Sequence, residues 1–176
     1  MIFTPPRPVY DANANSGAFG ELPDWDLSDL YPAPDAPELA ADMAWLEENC
    51  AAFARDYQGK LADLDASGMA ECIARYEAIE EKAGRVMSYV GLRYYQNTGD
   101  GARVKQMADA QDKITTFTTP LVFFSLEFNR INDAHYEAVF TDPQVARYKP
   151  VFDRMRAMKP HQLSDEMEKF LHDHSA

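Results

Sequence analysis

The side chains able to do chemistry are few, and they are scattered. The four histidines, His135, His161, His172 and His174, all stand in the last quarter of the chain. Only His172-Asp173-His174 brings two of them close. That triplet could hold a metal weakly, but a frayed terminal turn is its expected state. No His-Glu-x-x-His or Glu-x-x-His pattern sets ligands one helical turn apart. Cys50 and Cys72 have no metal-type spacing and fall on apolar helix faces, which predicts buried, reduced thiols. Adjacent carboxylates such as Glu77 with Glu81, or Glu80 with Glu81, could exchange protons usefully only if buried. On a solvated helix face they do not. Arg93-Tyr94-Tyr95-Gln96 joins a cation, two phenols and an amide near a helix end. Such a group could line a peptide groove, although packing and solvent exposure are its expected role. There is no glycine-rich phosphate loop and no Gly-x-Ser-x-Gly elbow. No residue is therefore assigned a catalytic or metal-binding role, and substrate-binding residues remain unknown.

The elements that would have to position such groups belong to one acidic domain. The 176 residues suffice for a real core, and the formal charge of −12 argues against nucleic acid and anionic membrane surfaces as partners. No signal peptide opens the chain, and no apolar run approaches the ~18 residues of a membrane helix, so a cytoplasmic location is expected.

Residues 1–22 mix prolines, glycines and small polar residues with little to bury, which predicts a flexible N-terminal arm. Trp25, Leu27, Leu30 and Tyr31 come next, in a segment expected to dock as a loop with a short helical turn. A first long helix is signposted by Asp35 as cap, Pro37 in the first turn and Glu38 three residues after the cap. Its stripe is Leu39, Met43, Leu46, Cys50, Phe53 and Tyr57, and Gly59 stops it. A second begins near Ala66 and carries Met69, Ile73, Tyr76, Ile79, Ala83, Val86, Val90 and Tyr94 on one side. Glu71 with Arg75 and Glu81 with Arg85 are expected ion pairs on its wet side. Gly84 and Gly91 mark a close helix contact or a bend. After a turn at 97–101 a third helix starts behind Asp100. Further on, Asn132 or Asp133 starts a short helix through Phe140, and Asp142-Pro143 opens another. Pro150 and Pro160 punctuate the next, and Ser164 caps the last. The fold class is all-α, an antiparallel array of three long helices followed by several shorter ones.

The most apolar stretch, Ile114 to Arg130, allows a buried strand by its β-branched residues. The helical spacing of Val104, Met107, Ala108, Gln111 and Ile114 leading into it favours a helix, kinked or split by Pro120.

Several blocks together resemble a known family. Trp25-Asp26-Leu27-Ser28-Asp29-Leu30-Tyr31-Pro32 is similar to the opening block of oligoendopeptidase F, in the thimet-oligopeptidase-like clan of zinc peptidases. Ser88-Tyr89-Val90-Gly91-Leu92-Arg93-Tyr94 resembles a block on its second long helix. The strongest match is Thr119-Pro120-Leu121-Val122-Phe123-Phe124-Ser125-Leu126-Glu127-Phe128-Asn129-Arg130. It is followed by Arg147-Tyr148 and by Lys159-Pro160-His161-Gln162-Leu163-Ser164 with Glu166 and Glu168. The resemblance implies that residues 23–176 are the helical N-terminal lobe of a cytoplasmic metalloendopeptidase that cuts short peptides in an enclosed cleft. In that family zinc is held by His-Glu-x-x-His and a later glutamate, expected to lie beyond Ala176. The chain itself is then expected to bind no zinc, to be inactive, and to partner the catalytic half of the same enzyme. The alternative is a stand-alone helical module that binds a protein or peptide. On a regular helix, Leu121, Phe124 and Phe128 share one face and Phe123 points away. Phe123 is therefore expected on an uncovered side, available to the catalytic half or to self-association.

Overall fold

The computed structural model describes residues 24–174, so the arm assigned to residues 1–22 lies outside the described residues. Seven α-helices and no strand occur among the described residues. Helix α1 spans Pro37–Tyr57, α2 Ala66–Gln96 and α3 Gly101–Thr118. The shorter α4 (Phe123–Arg130), α5 (Asp133–Phe140), α6 (Lys149–Ala157) and α7 (Asp165–Asp173) complete the order.

Local chemistry sets most of these boundaries. Asp65 accepts from Gly68 N at the start of α2, and Asp100 accepts from Ala102 N and Arg103 N at the start of α3. Asn132 does the same for Ala134 N at α5, and Ser164 for Met167 N at α7. Each satisfies an amide that the first turn would leave unpaired. Helix α1 differs from expectation. Its N-cap is Ala36, and no side chain caps it. The carbonyl of Ala36 already accepts from Leu39 N and Ala40 N, so Asp35 sits one residue too early. Pro37 occupies the first turn, where its missing amide hydrogen costs nothing. Asp142-Pro143 also differs. Asp142 organises a turn by accepting from Gln144 N, but regular helix resumes only at Lys149, after a 3-10 turn at Ala146–Tyr148.

The three long helices run antiparallel. Asp42 pairs with Lys82 at 2.5 Å near one end of the α1–α2 contact, and Asp56 with Arg75 at 2.8 Å near the other. Between α2 and α3, Arg93 donates to Gln106 at 2.8 Å and Arg103 to Gln96 at 3.1 Å. Leu46, Cys50, Phe53, Cys72, Ile79, Val86 and Val90 fill the seam. The charged neighbours find partners other than those expected. Arg75 turns to Asp56 rather than Glu71, and Arg85 donates to the carbonyl of Leu30 rather than pairing with Glu81. Gly84 and Gly91 are not close contacts either, since an added Cβ at each would meet nothing within 4 Å.

The segment before α1 docks through the ring of Tyr31 and through the carbonyls of Leu30 and Pro34, which accept from Arg85 and Gln106. Tyr31 is buried, lies edge-on to Tyr89 at 5.2 Å, and donates its hydroxyl to Asp42 at 2.8 Å. Burial would raise the Asp42 carboxyl, but hydrogen bonds from Lys82 and Tyr31 outweigh it and hold the group below the usual carboxylate range. Trp25, 58% exposed, contributes only its carbonyl, to Gln96.

Candidate functional site

The last third of the chain is attached through Pro120. Helix α3 ends at Thr118, a 3-10 turn runs over Thr119–Val122, and α4 restarts at Phe123. Proline cannot donate to the turn before it, so the long apolar stretch breaks there, as expected. The tighter turn also resets the phase of α4 relative to α3, because three residues per turn replace about 3.6. This corrects the placing of Phe123. It is buried and lies 5.9 Å from the ring of Phe53, while Phe124 stacks on Tyr76 at 4.3 Å and meets Phe53 at 5.7 Å. Phe128 continues the cluster, stacking on Phe152 at 4.3 Å and meeting Tyr136 and Phe140 edge-on.

Polar residues tie this nucleus to its neighbours. Both carboxylate oxygens of Glu127 accept from Gly59 N, at 2.8 and 2.9 Å, just past the end of α1. Gly59 has φ +79°, a conformation that glycine adopts without steric cost. Arg156 donates to the carbonyls of Phe128 and Ile131, both at 3.0 Å, and pairs with Asp133. It thereby satisfies acceptors that the end of α4 leaves open. Arg130 grips Asp165 at the start of α7, and this bond holds the Asp165 carboxyl below the usual range. The sequence reading missed Glu127, Asn129 and Arg156. Their one signal is a polar group inside or beside an apolar run. Asn129 is buried and donates to Gln162 at 3.0 Å, while its own oxygen has no partner.

Two features could engage another molecule. The first is a groove of about 600 Å³ among α2, α4 and α7, lined in part by Tyr76, Glu80, Ser125, Glu168 and His172. The second is a run of exposed apolar side chains, Met158, Leu163, Met167, Phe170 and Leu171; α7 buries no residue at all. The terminal histidines are not frayed. His172 Nε2 lies 3.3 Å from Thr118 Oγ1, Asp173 accepts from Thr119 at 2.6 Å, and His174 folds back on Phe170.

The polar side chains of the groove are Tyr76, Glu80, Thr118, Ser125, Glu168 and His172. The Ser125 hydroxyl donates to the carbonyl of Val122 at 3.4 Å. Both cysteines are buried and unpaired. Burial pushes the Cys50 thiol up to about 11, with Glu80 adding to it, and the Cys72 thiol up to about 12. Both therefore stay protonated and are poor nucleophiles. Among the described residues no three of His, Cys, Asp and Glu stand together to hold a metal ion. The remaining candidates serve local structure. His135 contacts the carbonyl of Leu64 at 3.0 Å, and Glu77 accepts from Tyr148 at 2.8 Å. Arg93 lies over the Tyr89 ring, and Tyr95 is 68% exposed. No helix among the described residues is long and apolar enough to cross a membrane.

These features define an all-α array with a groove beside α7 and exposed apolar side chains over residues 158–171. Residues 127–176 match the family described as Oligopeptidase F. The fold is similar to the crystal structure of oligoendopeptidase-F from Enterococcus faecium, with a TM-score of 0.69 at 20% identity over 78% of this chain. The chain covers 27% of that structure, about a quarter of its length. No curated protein matches the sequence. The sequence similarity is confined to the C-terminal end, and the similarity of fold extends over most of the chain.

Proposed function

We infer that the chain is the N-terminal lobe of a cytoplasmic, zinc-dependent oligoendopeptidase. In this reading it forms part of the wall of a cleft that admits short peptides, and it is inactive without the half that carries His-Glu-x-x-His. One observation carries this reading. The segment that matches the peptidase family, residues 127–176, is also the segment that exposes Met158, Leu163, Met167, Phe170 and Leu171. Several large apolar side chains exposed within one segment suit an interface, and the catalytic half is the partner the family match suggests.

The described residues do not fit a zinc site, which needs at least three placed nitrogen, sulfur or carboxylate ligands. The zinc and the water it activates would belong to the other half. The lobe's own contribution is to form part of the cleft wall. Two measurements test this. Incubation with a quenched bradykinin-like peptide and zinc should give no cleavage by mass spectrometry, and equilibrium dialysis should show no tight stoichiometric zinc site. Chelator-sensitive cleavage at stoichiometric protein would overturn the reading. So would a submicromolar zinc site that vanishes when His172 and His174 are replaced.

A further inference from the structure

The groove beside α7 continues past its own walls. A cavity of about 260 Å³ among α4, α6 and α7 adjoins it, and Ser125 and Glu168 line both. Along α4 the resulting crevice runs from Leu121 to Asn129, about 12 Å at a helical rise of roughly 1.5 Å per residue. That is the span of about three to four extended residues at roughly 3.3 Å each. Solvent reaches most of it. Glu80 and Leu171 are exposed, and Ile114, Thr118, Val122, Ser125 and Glu168 are half-buried.

Its hydrogen-bonding chemistry is one-sided. Among the described residues no lysine or arginine lines the crevice, and neither Glu80 nor Glu168 pairs with one. The amide of Leu163 holds Oε1 of Glu168 at 2.9 Å, which fixes that carboxylate by one of its oxygens. The hydroxyls have spent their protons on the backbone, Thr118 on Ile114 at 2.9 Å and Ser125 on Val122 at 3.4 Å. Their oxygens can therefore only accept, so Thr118 takes the Nε2 proton of His172. At the far end Asn129 is 6% exposed and donates its amide to Gln162, while its oxygen has no donor among the described residues. A buried acceptor left in this state costs free energy until a donor reaches it. Met155 and Met158 line the cavity beside it, and such unbranched side chains move aside readily. Acceptors and carboxylates backed by apolar side chains suit a cationic donor, and a primary ammonium donates without being able to accept.

We propose that this crevice binds the free amino end of a short peptide. The ammonium lies against Glu80 and Glu168, the first side chain among Ile114, Val122 and Leu171, and a following amide donates to the Asn129 oxygen. The ammonium follows from the crevice alone, and the choice of a peptide to carry it rests on the cleft-wall reading. The test titrates the intact chain with leucyl-leucyl-valine amide, and with the same peptide acetylated at its amino end. Nuclear magnetic resonance should show saturable binding of the free amine, at least about tenfold tighter than that of the acetylated peptide. The Asn129 side-chain amide and the methyl groups of Leu121 and Val122 should shift. Glu168→Gln keeps an oxygen for the Leu163 amide, and should weaken the free amine by about fivefold or more with an unchanged melting temperature. Glu80→Gln should act in the same direction. Glu81→Gln removes the neighbouring charge outside the crevice and should leave binding unchanged. Equal binding of the acetylated peptide would overturn the proposal. So would the absence of saturation, shifts that spare α4 and α7, or equal weakening by Glu81→Gln, which would reduce the effect to net charge. Such a failure would leave the cleft-wall reading to its own cleavage and zinc measurements, which do not depend on this binding.

Discussion

At the scale of single residues, the aromatic cluster decides what can be changed. Phe123 and Phe124 are both buried, so both should matter, whereas helical phase alone would make one dispensable. Truncating a buried phenylalanine to alanine costs about 3–5 kcal/mol. Phe124→Ala should fall toward the upper end, since its ring meets Phe53, Tyr76, Phe128 and Phe152. Phe123→Ala should fall toward the lower end, with Phe53 as its one ring partner. Urea midpoints of the two variants check the order. The thiols make a second prediction. In the unfolded chain a cysteine ionises near about 8.5, but burial holds Cys50 to about 11 and Cys72 to about 12 in the native state. As pH rises past the lower value the unfolded state loses protons first, so the stabilisation is complete below it and is lost as pH climbs through the native values. Stability should therefore fall between about pH 8.5 and pH 11, and a Cys50→Ala, Cys72→Ala double variant should show a shallower fall in denaturant midpoint.

At the scale of elements, most helix boundaries were legible because local chemistry sets them. Asp65, Asp100, Asn132 and Ser164 cap in the structure within their own first turns. Asp35 failed for a reason that spacing cannot reveal, because a carbonyl one residue later already starts the helix. Long-range ties were also hidden. Glu127 in α4 reaches Gly59 across 68 residues, and nothing near either position in sequence announces the other. Gly59→Ala should cost about 1–2 kcal/mol through its positive φ, since no neighbour crowds the added methyl. Glu127→Ala should cost about 1 kcal/mol by leaving the Gly59 amide to water. Thermal melts of both variants, with helical content by circular dichroism held equal, measure these terms.

At the scale of the whole molecule, the array of three long helices was readable from periodicity, and the groove and the uncovered face were not. Periodicity reports which side of a helix is apolar, and it cannot say which neighbour covers that side. The expected exposed patch therefore moves from Phe123 to α7 and the turn before it. The parent chain should bind a hydrophobic dye or self-associate at high concentration. Phe170→Glu, at a side chain that is 54% exposed, should relieve this without lowering the melting temperature. Light scattering and dye titration on parent and variant check it. A dye-silent, strictly monomeric parent would instead favour the stand-alone binding module.

The ring of Phe53 also has a consequence for how the chain is made. Its aromatic partners include Phe123 and Phe124, about 70 residues further on. At a synthesis rate of roughly 5–20 residues per second, they leave the ribosome some 4–14 s after Phe53 does. Once α2 is complete at Gln96 it can pair with α1 as a hairpin, but the pocket around Phe53 stays open until Phe123 and Phe124 follow. The nascent chain therefore passes through a stage in which a ring destined for full burial lies within reach of a chaperone.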